Sequence, residues 1–202
     1  QNNGPIVSGF VNDTKFSKDR GLYFEPFSLE ISSKTEDCSI IYTEDGSTPT
    51  LDNGIEYTEP ILIDETRVIR AIAFKDGFVP TNVDTHTYIF PESVIKQPNT
   101  GPNLPKYWAG KLADYEMDPE IVNHSSPEVR PEEKDFLRVP TVSLVMDWDE
   151  MFGSSGIYIR GESVERSTSI EYINPNRNTE DPNSEKGFQI NGTVQVVGGS
   201  ST

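Results

Sequence analysis

The run Ile40-Ile41-Tyr42-Thr43-Glu44-Asp45-Gly46-Ser47-Thr48-Pro49 constrains this chain more than any other stretch, because β-branched and aromatic residues pass directly into turn chemistry. On a strand's period of two, Ile41 and Thr43 share one face and Ile40 and Tyr42 the other. Asp45-Gly46 supplies a pair that tolerates positive φ, so the strand ends in a tight corner. Pro49 fixes φ and lacks a donor, which sends the chain out of the sheet before an extended run at Ile55-Glu56-Tyr57.

Short β-rich runs recur around this corner, over residues 27–32, 38–43, 55–57, 61–63, 66–74 and 83–90, with Asp76-Gly77 as a second corner and no amphipathic helix between them. That spacing predicts an antiparallel β-sandwich. Tyr42, Val68, Ile72 and Tyr88 are expected to contribute to one core, and Arg70, which shares strand parity with Val68 and Ile72, needs a sheet margin or a partner. Residues 1–20 form a polar extension with one apolar cluster, residues 5–10, expected to add an edge strand.

Pro91, Pro98, Pro102 and Pro105 fall close together with Asn99 and Gly101, so residues 91–110 read as a linker between a first module at 21–90 and a second at 111–202. Trp108, just past the prolines, is expected to be buried and to couple the modules. Asp118-Pro119 starts a short helix, and residues 131–137 suggest another. Strands are expected at 141–146, 156–159, 167–173 and 187–197, with a helical turn at 147–152 capped by Asp147. The fold class is thus mainly β: a sandwich followed by a smaller α+β module. The first residue is Gln1 rather than Met, and the chain stops at Gly198-Gly199-Ser200-Ser201-Thr202 directly after a strand, so the second module is expected to be truncated.

A formal charge of −16 and a pI near 4.4 repel phosphate backbones and anionic lipid surfaces, which disfavours nucleic-acid and membrane-surface partners. No apolar run is long enough to span a bilayer, and no signal-type segment is present. Cys38 is the only cysteine, so neither an intrachain disulfide nor a cysteine-based zinc site can be built. At the start of a strand it is expected to be a small buried hydrophobe. Asn12, Asn123 and Asn191 each open an N-x-Ser/Thr triplet and are candidate glycosylation acceptors in a secreted protein.

The runs at residues 21–31, 40–50, 57–61, 66–74 and 85–90, in that order and spacing, resemble the small immunoglobulin-like module known as the chitobiase/β-hexosaminidase C-terminal domain, akin to fibronectin-type-III-associated repeats. Further on, Gln97-Pro98, residues 113–122, Val139-Pro140 with residues 141–145, Gly156-Ile157-Tyr158, Glu165-Arg166, residues 169–173, Gly187-Phe188-Gln189-Ile190 and Gly198-Gly199-Ser200 are similar to the opening of the CotH kinase family, named for a spore coat protein. The first resemblance implies an immunoglobulin-like sandwich, and together they imply an extracellular or cell-surface setting. The basic residues and metal-binding aspartates that the kinase family implies lie beyond the Gly-Gly-Ser segment, so no position here carries them.

Candidate chemistry is sparse. There is no Walker-type loop, no Gly-rich kinase loop and no Gly-x-Ser-x-Gly elbow, so no catalytic residue and no cofactor-binding residue is assigned. Asp147, Asp149 and Glu150 are hard-oxygen donors on one short turn and could hold calcium, although a helix cap accounts for Asp147 equally well. Gly198-Gly199-Ser200 could touch phosphate only if a helix or basic group followed, while Arg160, Arg166 and Lys186 read as ion-pair partners. His86 and His124 lack partner ligands nearby, and Tyr23, Tyr42, Tyr57 and Trp108 could stack on sugars but read as core or corner residues. The expectation is a non-catalytic extracellular scaffold, adhesion or accessory module with a protein, cell-surface or matrix partner. The alternatives are the front part of an ATP-dependent atypical protein kinase and a carbohydrate-binding accessory module.

Overall fold

The protein is described by a computed structural model over residues 7–101, 104–108, 111–175 and 187–197. In the first part lie β1 (Gly9–Phe10), β2 (Thr14–Phe16), β3 (Gly21–Leu22), β4 (Phe27–Leu29), β5 (Ile31–Ser33) and β6 (Ser39–Thr43). They are followed by β7 (Ile55–Glu56), β8 (Ile61–Ile63), β9 (Arg67–Phe74), β10 (Phe78–Val79) and β11 (Asp84–Ile89). A five-stranded sheet runs in the order β3-β11-β9-β6-β7, and the pairs β4-β8 and β2-β5 face it. Leu29, Ile31, Ile61 and Ile63 from those pairs pack on Ile40, Ile69, Ala71 and Tyr88 from the sheet, which closes a sandwich core.

Three details differ from the sequence reading. The run at 27–32 breaks at Glu30, so β4 pairs with β8 while β5 crosses to pair with β2. Two pairings are parallel, β1 with β10 and β3 with β11. No hairpin joins either pair, so no turn imposes an antiparallel direction. The core parity is also the reverse of that expected: Ile69, Ala71 and Ala73 point into the core with Tyr88, while Val68, Arg70 and Ile72 occupy the other face of β9. Parity alone could not choose between the rows, because both faces of β9 are enclosed. On the second face Arg70 lies opposite Thr85 and Thr43, Thr87 opposite Val68, and Ile41 opposite Ile72. Gly46, at φ 81°, makes the corner after β6, and a Cβ there would stand 2.7 Å from the Met146 carbonyl oxygen. Glycine therefore serves both the turn and the close approach of the second part.

After the sandwich come α1 (Pro91–Ile95), β12 (Tyr107–Trp108), β13 (Lys111–Leu112) and α2 (Pro119–Val122), with Asp118 accepting from the Glu120 amide at 2.8 Å. A 3-10 helix at Glu133–Arg138 carries a reciprocal cap between Glu132 and Asp135. Then follow β14 (Thr141–Val145), α3 (Trp148–Phe152), α4 (Ile157–Arg160), a 3-10 turn at Gly161–Ser163, β15 (Glu165–Ile173) and β16 (Phe188–Gln195). The strand expected at 156–159 is replaced by helix α4 from Ile157: Tyr158 stacks on Phe152 at 5.0 Å and Ile157 is buried, so packing against α3 overrides the β propensity of the run. Tyr115 pins the proline-rich segment, its hydroxyl donating to the Pro105 carbonyl and its amide to Asn99 Oδ1. The side chain of Trp108 lies outside the described residues.

Antiparallel β14-β15-β16 form a three-stranded sheet of inverted polarity. Ser143, Ser169 and Glu171 lie on one face, where Ser143 and Glu171 both reach Thr87 of the sandwich. On the opposite face, register sets Val142, Tyr172 and Phe188 in one row and Leu144, Ile170 and Ile190 in the next. Val142 is 61 % exposed and Phe188 48 %, so the polar face is buried and the apolar face meets solvent.

Candidate functional site

The sandwich and the β14-β15-β16 sheet meet along a seam built from hydroxyls and one ion pair. Glu171 is completely buried; its Oε1 accepts from Arg20 Nε at 3.0 Å and from the Thr87 amide at 3.1 Å, and its Oε2 accepts from the Thr87 hydroxyl. Burial raises its pKa, while the bonds from Thr87 and Arg20 pull in the other direction. Arg20 also donates to the Thr85 carbonyl and touches His86 Nε2 at 3.4 Å. His86 stacks on Phe16 at 4.0 Å, and burial beside the Arg20 guanidinium lowers its pKa to about 4.

At the other end of the seam Arg70 is 8 % exposed. Its Nη1 donates to the Gly46 carbonyl at 2.7 Å, whereas its enclosed Nε has no hydrogen-bond partner among the described residues. Burial lowers the guanidinium's pKa, opposed by Asp147, Glu150 and Asp45. Arg70, Asp147 and Glu150 line a cavity of about 340 Å³ together with Ser167, Asn191 and Thr193. Asp147 also borders a wider cleft of about 900 Å³, lined by Asp45, Ser47, Trp148, Asp149 and Phe152, with Leu104 and Pro105 on its far wall. Trp148 is 44 % exposed as a residue, and its ring tilts against Phe152 at 5.8 Å. Hydrogen bonds from Ser47 hold the Asp45 carboxylate below its ordinary pKa.

The carboxylates singled out in the sequence are thus divided rather than gathered. Asp147 Oδ1 caps α3 by accepting from the Asp149 amide at 2.9 Å, Asp149 faces the wider cleft and Glu150 the smaller cavity. Among the described residues no group of three acidic, histidine or cysteine side chains is placed to hold a metal ion. Arg160 donates to the Ser154 carbonyl and Arg166 to the carbonyls of Ser155 and Glu165, and among the described residues neither forms the ion pair expected of it. Lys186 and Gly198-Gly199-Ser200 lie outside the described residues. Tyr23, Tyr42 and Tyr57 pack against the sandwich core, as does half-buried Cys38, and His124 Nδ1 accepts from the Ser126 amide. Asn12, Asn123 and Asn191 are all exposed, and Asn191 borders the smaller cavity. Among the described residues no helix is long and apolar enough to cross a membrane.

Sequence reasoning missed Arg20, Glu171 and the cavity role of Arg70. The one available signal was the parity of Arg70 with two apolar neighbours on β9, which marks a charge that must find a partner.

Residues 18–85 match the family model of the chitobiase/β-hexosaminidase C-terminal domain. The match runs from just before β3 to the start of β11 and stops short of the stretch that resembles the CotH kinase family. No curated protein and no solved structure matches the chain.

Proposed function

We propose that this chain is a non-catalytic extracellular accessory module whose sandwich presents the β14-β15-β16 sheet to a protein partner. The observation that carries the reading is the inverted polarity of that sheet: two rows of apolar side chains in cross-strand register face solvent, while its hydroxyls and Glu171 are packed against the sandwich. An exposed apolar sheet face of this kind loses free energy on being covered, at roughly 25 cal/mol per Å² removed from water. The partner is a protein surface with an apolar centre and a lysine- and arginine-rich rim, because the chain as a whole carries a formal charge of −16. The domain type matched at residues 18–85, named from the C-terminus of chitobiase and β-hexosaminidase, supports an accessory, carbohydrate-associated setting over a catalytic one.

A photo-crosslinking residue placed at Ile190 tests the docking reading in the source's own secreted and surface fractions. Adducts with one protein of that surface chemistry, abolished by Val142→Lys, are expected. Adducts of the chain with itself, or adducts indifferent to Val142→Lys, overturn it. Titration with magnesium-ATP tests the non-catalytic half of the reading: no saturable binding is expected, and a Kd tighter than about 100 μM, roughly 5.5 kcal/mol, would show a complete nucleotide site.

A further inference from the structure

We propose that the outer edge of β16 takes up an extended segment of the partner protein as a further strand of the β14-β15-β16 sheet. That segment carries apolar side chains on one side and lysine or arginine on the other. The proposal rests on the docking reading above, since it states how the partner's chain meets this sheet.

Alternate residues of an edge strand turn both N–H and C=O away from their one neighbour, and such groups template another strand. β16 pairs with β15 along the whole of Phe188–Gln195, and among the described residues its main chain has no partner on the other side. Folds close such edges with short strands, prolines, bulges or charges. The other edge strands among the described residues obey: β14, the longest of them, has 5 residues and starts just after Pro140, and β2 carries Lys15. β16 has 8 residues, pairs residue for residue without a bulge, and holds neither a proline nor a charge. It belongs to a run that is uncharged from Gly187 to Thr202, in a chain of which 25% is charged.

Gly192, in the middle of β16, is a second and independent sign. It is not at positive φ and the register passes through it without interruption, so neither a turn nor a bulge calls for glycine there. A Cβ would meet only the end of the Ile170 side chain, at 3.3 Å, which a small shift relieves. A strand glycine free of those duties marks a place where another backbone comes close.

The two sides of β16 set the pattern of the incoming strand. Phe188, Ile190 and Val194 stand on one side, and Gln189, Asn191 and Thr193 on the other. Asn191 and Thr193 share a cavity with Asp147 and Glu150, so lysine or arginine on that side of the segment is attracted. A second copy pairing about a two-fold axis at Gly192 would instead bring its own Asp147 and Glu150 against these, with another formal charge of −16 behind them. The occupant is therefore a basic strand of a different protein.

Amide exchange of the full chain, followed by NMR, tests this with a short synthetic peptide in which valine alternates with lysine and threonine, its ends acetylated and amidated. With the peptide bound, alternate amides of β16 are expected to exchange at least roughly tenfold more slowly, a larger change than at the amides between them or anywhere in β14. The same peptide N-methylated at adjacent central residues keeps its side chains but loses both edges, and should not bind. Glutamate in place of lysine should weaken binding at least roughly tenfold. No slowing in β16, slowing without a period of two, equal binding of the N-methylated or glutamate peptide, or protection of β16 by raised protein concentration alone overturns the proposal. Val142→Lys, on the far strand of the sheet, abolishes docking on the apolar face but is expected to leave the peptide's effect on β16 unchanged, so the two readings fail separately.

Discussion

Arg20 and Glu171 lie 151 positions apart and meet at 3.0 Å, joining the connection between β2 and β3 of the sandwich to the middle strand of the second sheet. Glu171 is fully buried, so its charge is held by Arg20 and Thr87 in place of water. Glu171→Ala strands the Arg20 guanidinium and the Thr87 amide, and is expected to cost about 3–5 kcal/mol in urea denaturation. Glu171→Gln, which keeps an acceptor for Arg20, should cost less. A loss below about 1 kcal/mol for the alanine variant would reduce the pair to the standing of a surface ion pair.

His86 gives the fold a dependence on acid. Its pKa is about 4 when folded against 6.5 when free, so below pH 6.5 the unfolded chain binds a proton that the folded chain refuses. The contribution is complete above pH 6.5 and is lost progressively as pH falls toward 4, up to about 3 kcal/mol. The raised pKa of Glu171 has the opposite sign, its burden easing as the carboxyl takes up a proton. Comparison with His86→Phe isolates the histidine: from pH 7 to pH 4 the wild type should lose that amount of unfolding free energy relative to the variant. A constant gap would contradict it.

Gly46→Ala combines two penalties, a left-handed φ of 81° and a Cβ pressed to 2.7 Å from the Met146 carbonyl oxygen. The expected loss is about 1–3 kcal/mol. Gly77, at φ 73°, has only the Ser8 hydroxyl oxygen near its virtual Cβ, at 3.4 Å. Gly77→Ala should therefore lose less in the same thermal melt, and equal losses would mean that the approach of Met146 contributes nothing.

The two rows of β9 are distinguishable by truncation. Ile69→Ala opens a fully buried position in the sandwich core and should cost about 2–5 kcal/mol, whereas half-buried Val68→Ala on the seam should cost under about 1.5 kcal/mol. Equal costs would return the core to the opposite parity.

What was legible in the sequence was local. The alternation through Ile40, Ile41, Tyr42 and Thr43 and the Asp45-Gly46 corner are settled within a few residues, and so is the Asp147 cap, since an aspartate ahead of a helical turn meets the amide two positions on. The partners of Arg70 were not legible: parity announced a buried charge, but Gly46 and Asp147 reach it only through the pairing of β9 with β6 and the docking of the second sheet. Glu171 was hidden more thoroughly. An acid alternating with Ile170 and Tyr172 reads as the wet side of a strand, and only the sheet's placement turns that side inward. At Tyr158 the local signal pointed the wrong way, because Phe152 offered a ring to stack on.

The face of the sandwich that meets the second sheet sets Thr43, Thr85 and Thr87 among Ile41, Val68 and Ile72, and a threonine is equally at ease wet or dry. During synthesis these residues emerge long before Glu171, and the contact between them cannot close until β15 has followed. A leucine face in that position would stick to whatever passed during the wait. The Thr87 hydroxyl, bound to water until then, need only exchange that partner for Glu171, so the long delay between the halves of the joint carries little risk of misassembly.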